Sequence, residues 1–160
     1  MIDERAIEMA IVDRITAHAP VFTATYPGGE WFRQIENVGL YDIDLENVRE
    51  VVRTDPACLV EYGGESASDL GTAATSSTIT ARIYIYVFVS GLVSRGKTSQ
   101  DANALARIVK DALRGWTFRT GGQTGHLKYR GATPRGRIDG TTLQIKALEF
   151  DLSIQDHPLT

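Results

Sequence analysis

The sequence predicts an α+β fold, a single largely antiparallel sheet with two main helices packed on one face. Three observations lead there. Residues 78–90 alternate strictly, with Ile79, Ala81, Ile83, Ile85, Val87 and Val89 set against Thr80, Arg82, Tyr84, Tyr86 and Phe88; that is the period of a strand with one face on a core. Residues 3–17 and 99–113 instead carry apolar stripes at helical spacing. The elements run helix, short helix, strand, long strand, helix, strand, long strand, an order that one sheet covered by the two helices satisfies most simply.

In chain order, the first helix is built on Ile7, Ile11 and Ile15, widened by Ala10 and Val12, with Asp3, Glu4 and Glu8 toward its N-terminal end. His18 suits the C-terminal end of that helix, and Pro20 is expected to stop it. Residues 21–43 read as an aromatic-bearing loop. A short helix is predicted from Leu45 to Arg53, with Asp44 as N-cap. Asp55-Pro56 ends it, and a strand follows over Ala57–Tyr62. Gly63–Ser77, rich in Gly, Ser, Thr and Ala, reads as a long loop. The second main helix carries Ala102, Leu105, Ala106, Val109 and Leu113 on one face, and Gly115 is its stop. A short strand is predicted at His126–Arg130, within a second loop region at about 119–140. The closing strand, Thr142–Gln155, changes phase: Leu143, Ile145 and Ala147 are odd-numbered, whereas Leu148, Phe150, Leu152 and Ile154 are even. That shift predicts a bulge or bend near Ala147-Leu148.

At 160 residues, 42% hydrophobic, the chain can bury a core large enough to need no disulfide or metal. It is read as one unit spanning 1–160. The lone cysteine, Cys58, lies in an apolar run and reads as a small buried hydrophobe. No Cys/His ligand cluster is present, so no metal or other cofactor is expected. No apolar run reaches the length of a membrane span, and the acidic N-terminus is unlike a signal peptide, so synthesis in the cytoplasm is expected.

Charge is unevenly divided. Residues 1–78 hold 14 acids and 5 bases, and residues 79–160 hold 6 acids and 12 bases. Such polarity suits a subunit whose acidic side meets the basic side of a neighbour. Residues 112–138 contain no acid but hold Arg114, Arg119, Lys128, Arg130, Arg135 and Arg137, interleaved with Trp116, Phe118 and Tyr129. This run, together with Tyr84 and Tyr86 on the long strand, is the candidate interface for a protein neighbour, with DNA as a weaker alternative.

One motif has the form of a phosphate-binding loop: Gly91-Leu92-Val93-Ser94-Arg95-Gly96-Lys97-Thr98, between a strand and a helix. In a nucleotide-binding protein Gly91 and Gly96 would shape the loop, Lys97 would hold phosphates and Thr98 would hold magnesium. The alternating, Arg82-bearing strand before it argues otherwise, because strands of parallel nucleotide-binding sheets are apolar on both faces. Thr98 capping the helix, answered by Asp101, is the structural alternative. His18, His126 and His157 have no ligand spacing, and the carboxylate pairs Asp42/Asp44 and Glu149/Asp151 fit cap or strand positions. No catalytic residues are assigned, and an enzyme is not expected.

Tyr26-Pro27-Gly28, the run Pro56-Ala57-Cys58-Leu59-Val60-Glu61-Tyr62-Gly63-Gly64, the alternating strand, Ala112-Leu113-Arg114-Gly115 and the amphipathic closing strand resemble the Mu-like small tail proteins of phages and prophages, a tail-terminator type. The resemblance implies a virion protein that forms a hexameric ring, caps the tail tube and sheath, and joins them to neck or connector proteins. Other neck or head–tail completion proteins are close variants of that expectation.

Overall fold

The computed structural model describes residues 3–27, 29, 31–38, 56–69, 77–89, 95–120, 123–137 and 144–156. The elements are α1 (Glu4–Thr16), α2 (Ala19–Thr25), β1 (Gln34–Asn37), β2 (Ala57–Asp69), β3 (Ser77–Val89), α3 (Arg95–Leu113), β4 (Thr117–Thr120), β5 (Gln123–Arg137) and β6 (Gln144–Asp156). They build one six-stranded sheet in the order β1-β2-β3-β6-β5-β4. Only β1 and β2 run parallel; every other neighbouring pair is antiparallel.

The spine is the β3–β6 pair, in register from Ser77↔Asp156 to Val89↔Gln144 with no shift. The bulge expected near Ala147-Leu148 is therefore not in β6. The phase change has another cause. Leu148, Phe150, Leu152 and Ile154 face the helices, while Ile145 and Ala147 are buried on the far face with Ala57, Leu59, Tyr86 and Phe88. The strand is buried on both sides at one end and on one side at the other, so a regular strand reads as two phases.

The bulges lie in the flanking strands. In β5, Arg130 and Arg135 are the extra residues, between Tyr129 and Gly131 and between Pro134 and Gly136. In β2 the register shifts between Tyr62 and Glu65. Gly64 and Gly131 take φ of +117° and +152°, which only glycine adopts without strain. These bulges let β2 run on to Asp69 and β5 to Arg137. Much of what the sequence suggests as loops at 63–77 and 119–140 is therefore strand. Its Gly, Ala and Pro content carries little strand propensity, and the ladder to β3 and β6 supplies the order.

α1 and α3 cover the helix face. Ile7, Ile11, Val12 and Ile15 of α1 meet Ala102, Leu105, Val109, Ala112 and Leu113 of α3 over Cys58, Val60, Ile83, Ile85, Phe150 and Leu152. Asp3 caps α1, accepting from the Ala6 amide at 3.0 Å. His18 sits at its C-terminal end, with Nδ1 3.3 Å from the Arg14 carbonyl. The chain then turns into α2, where Pro20 occupies the first turn; the proline starts a helix as well as ending one. α3 begins at Arg95, four residues before the expected start. Gly115, at φ +72°, follows its last turn. The expected helix over 45–53 lies outside the described residues.

Candidate interaction surfaces

Glu8 ties α1 to the outer side of the sheet. Its carboxylate is buried and accepts from the Tyr62 amide at 3.1 Å and from Asn37 Nδ2 at 3.3 Å. The parallel pairing of β1 with β2 stops at Val60, where the Val38 amide donates to the Val60 carbonyl. Glu8 thus satisfies the next backbone donor along that edge.

The far face divides into two halves. One is the apolar patch of Ala57, Leu59, Tyr86, Phe88, Ile145 and Ala147. The other is polar. Arg82 pairs with Glu149 at 3.0 Å, and Arg130 with Asp151 at 2.7 Å. Thr80, Lys128, Ser153, His126 and Thr117 are exposed beside them, and Thr117 Oγ1 lies 3.0 Å from His126 Nδ1. The hydrogen bond with Tyr84, followed by the charge of Glu149, pushes the Arg82 guanidinium pKa up. These side chains are neutralised in pairs along an exposed ladder, and exposed pairs of this kind contribute little stability.

Tyr84 and Tyr86 stack at 6.3 Å between ring centroids. Tyr84 is half-buried, whereas Tyr86 is buried and reaches Glu61 Oε1 at 3.4 Å. Arg119 lies exposed on β4 and Lys128 on β5. Arg130 is on β5 as well, and Arg135 and Arg137 fall in the last residues of that strand. The sheet therefore gathers four of the predicted basic residues on one strand and puts Arg119 on its neighbour.

Sequence reasoning missed a second basic site. An open cleft of about 380 Å³ runs between α3 and the ends of β5 and β6. Arg107, Lys110, Arg114 and Lys146 line it, with Asp111 as the acid among its lining residues. Lys110 sits over the Tyr129 ring, 4.6 Å from its centroid, and Lys146 hydrogen-bonds Asn103. The signal was present in the helix, where Arg107, Lys110 and Arg114 recur every three or four residues on the flank away from the apolar stripe.

The phosphate-loop motif is not in the setting it needs. β3, which precedes it, is antiparallel to both neighbours, whereas the nucleotide-binding motif belongs to a parallel strand–helix–strand unit. Gly96, Lys97 and Thr98 fall in the first turn of α3. Thr98 is thus inside the helix and not at its cap, and Asp101 lies further along it. Gly91 lies outside the described residues, as do Asp42, Asp44 and His157.

Among the described residues no group of His, Cys, Asp and Glu could hold a metal ion, and no helix is long and apolar enough to cross a membrane. Cys58 is fully buried, and burial pushes its thiol pKa well above the usual range.

No protein-family profile matches the chain, and no curated protein matches it. Solved structures do, 31 chains in all. One belongs to the virion of a native gene transfer agent particle; at 18% identity and a TM-score of 0.57, the match covers 91% of each chain. The two chains share a fold. At that identity, the fold is what the likeness shows.

Proposed function

We propose that this chain is a structural protein of a phage-like virion, and within it the tail terminator: a ring, hexameric by resemblance, that closes the tail tube and sheath and meets the neck or connector. The observation that carries the coarser reading is the fold shared with a gene transfer agent virion chain over nearly the whole of both. The finer reading rests on the short motifs named above and on the division of charge. The sheet places basic residues along β5 at one side and acidic residues along β2 at the other. A subunit polarised in this way meets its neighbour head to tail. The basic cleft beside α3 and the candidate surface of Tyr84, Arg119, Lys128 and Arg130 are offered as contacts to tube, sheath or neck proteins, or to DNA in the channel. The chain acts in the virion, at the junction of tail and neck, after assembly in the host cytoplasm.

The test is to produce particles without this chain and examine them by electron microscopy. Tails of uncontrolled length, or heads and finished tails left unjoined, are expected. Intact particles with tails of normal length would overturn the assignment.

A further inference from the structure

We propose that the cleft beside α3 is the docking site for an acidic segment of a partner protein, one in which acidic and apolar residues alternate. The inference rests on the reading above, which offers the cleft as a contact, and names what the cleft takes. α3 packs on β3 and β6. Its flank stands over the helix face of β5, where Tyr129 is half-buried and Ala132 exposed. The result is a groove with a charged wall and an apolar floor. Arg107, Lys110 and Arg114 make the wall, and Lys146 on β6 closes one side.

The cations of the cleft are not neutralised. Among the described residues none of the four forms an ion pair, and Asp111, which also lines the cleft, pairs with none of them. Lys110 lies over the Tyr129 ring, and Lys146 hydrogen-bonds the neutral Asn103. The far face is arranged differently, with Arg82 and Arg130 each matched to an acid of β6. A cleft lined by one sign of charge concentrates the opposite sign.

The floor and Asp111 decide which kind of anion fits. A nucleic-acid backbone is negative at every step and is opposed by Asp111. Lys110 already covers the Tyr129 ring face on which a base would stack. A peptide brings apolar side chains for the floor and backbone N–H groups for Asp111. Spacing agrees. Arg107, Lys110 and Arg114 follow one another at about 4.5 and 6 Å along the helix. In an extended segment every second side chain falls on one side, about 6.6 Å apart. Alternation therefore turns the acids to α3 and the apolar side chains to the sheet. The source is a different protein. The exposed acids around α1 and β1, Asp3, Glu4, Asp13 and Glu36, are interspersed with Arg5, Arg14 and Arg33, so those elements offer no unmixed acidic surface to a second copy.

The test is fluorescence anisotropy on the whole chain. The probe is a labelled peptide with the core Glu-Leu-Glu-Leu-Glu between Gly-Ser flanks, compared with the same peptide carrying serine for leucine and with a DNA duplex. The leucine peptide is expected to bind, the serine peptide to bind several-fold more weakly, and DNA to leave the bound peptide in place. Arg107→Gln combined with Arg114→Gln should weaken binding about tenfold or more. Both side chains are exposed, so circular dichroism should not change. Arg119→Gln, on β4, should leave binding intact. No binding of the leucine peptide, equal binding of the two peptides, or indifference to the double substitution would overturn the site. DNA binding that the double substitution abolishes would replace the protein segment with nucleic acid. Self-association in light scattering that the same substitution abolishes would make the occupant a second copy and overturn the choice of partner. Normal tails in particles lacking this chain would sink the virion reading and leave these binding results standing.

Discussion

Two glycines show how individual residues set the sheet. A side chain on Gly125 would meet the Phe118 ring at 2.4 Å, and one on Gly63 would meet the Tyr84 ring at 2.4 Å. In each case an aromatic ring on the neighbouring strand covers the bare backbone. The two rings differ in freedom. Phe118 is buried among core residues, whereas Tyr84 is half-buried at a polar face. Gly125→Ala should therefore cost about 1–3 kcal/mol, and Gly63→Ala clearly less, in urea unfolding. Cys58 supplies a second prediction. Its thiol is held neutral by burial, so its folded pKa lies above its unfolded one. The stability this gives is complete below the ordinary thiol pKa of about 8.5 and is lost as pH rises beyond it, when the unfolded chain ionises first. The urea midpoint of the parent should fall more steeply above that pH than that of Cys58→Ala. Equal slopes would show that the thiol is not coupled to folding.

At the scale of elements, what could be read from the sequence depended on the period. β3, α1 and α3 were legible because their apolar residues recur at strict spacing over many positions. β1 and β4, four residues each, are too short to show a period. The outer parts of β2 and β5 are hidden by glycines at or beside the bulges and by alanine and proline of low strand propensity. The candidate site was half legible. The basic run could be counted in the sequence, but its gathering on β5 beside β4 is a property of strand order. The cleft basics were visible as a helical stripe and went unread. Glu8, an acid on an otherwise apolar helix face, gives the prediction for this scale. Glu8→Ala removes the acceptor for the Tyr62 amide and Asn37 and should lower stability by about 1–3 kcal/mol, with Glu8→Gln costing less, by chemical denaturation.

The whole molecule is organised by the sheet, and the sheet argues against nucleotide chemistry. An antiparallel setting denies the Gly91–Thr98 motif the parallel framework it requires. Millimolar ATP or GTP with magnesium should leave the melting temperature unchanged in differential scanning fluorimetry, because a ligand well above its Kd must stabilise the fold it binds. A rise of several degrees would reopen that reading.

The two-sided burial at one end of the β3–β6 pair also has a mechanical consequence. Ile85–Val89 are buried on both faces, while Thr80, Arg82, Ser153 and Gln155 are exposed on one. A ladder held in this way behaves like a beam clamped at one end, stiff at the clamp and compliant toward the tip. Amide exchange should record the gradient, slow near Val87 and Leu148 and faster near Thr80 and Ser153. Load applied to the compliant tip would then flex the subunit before it unfolded it.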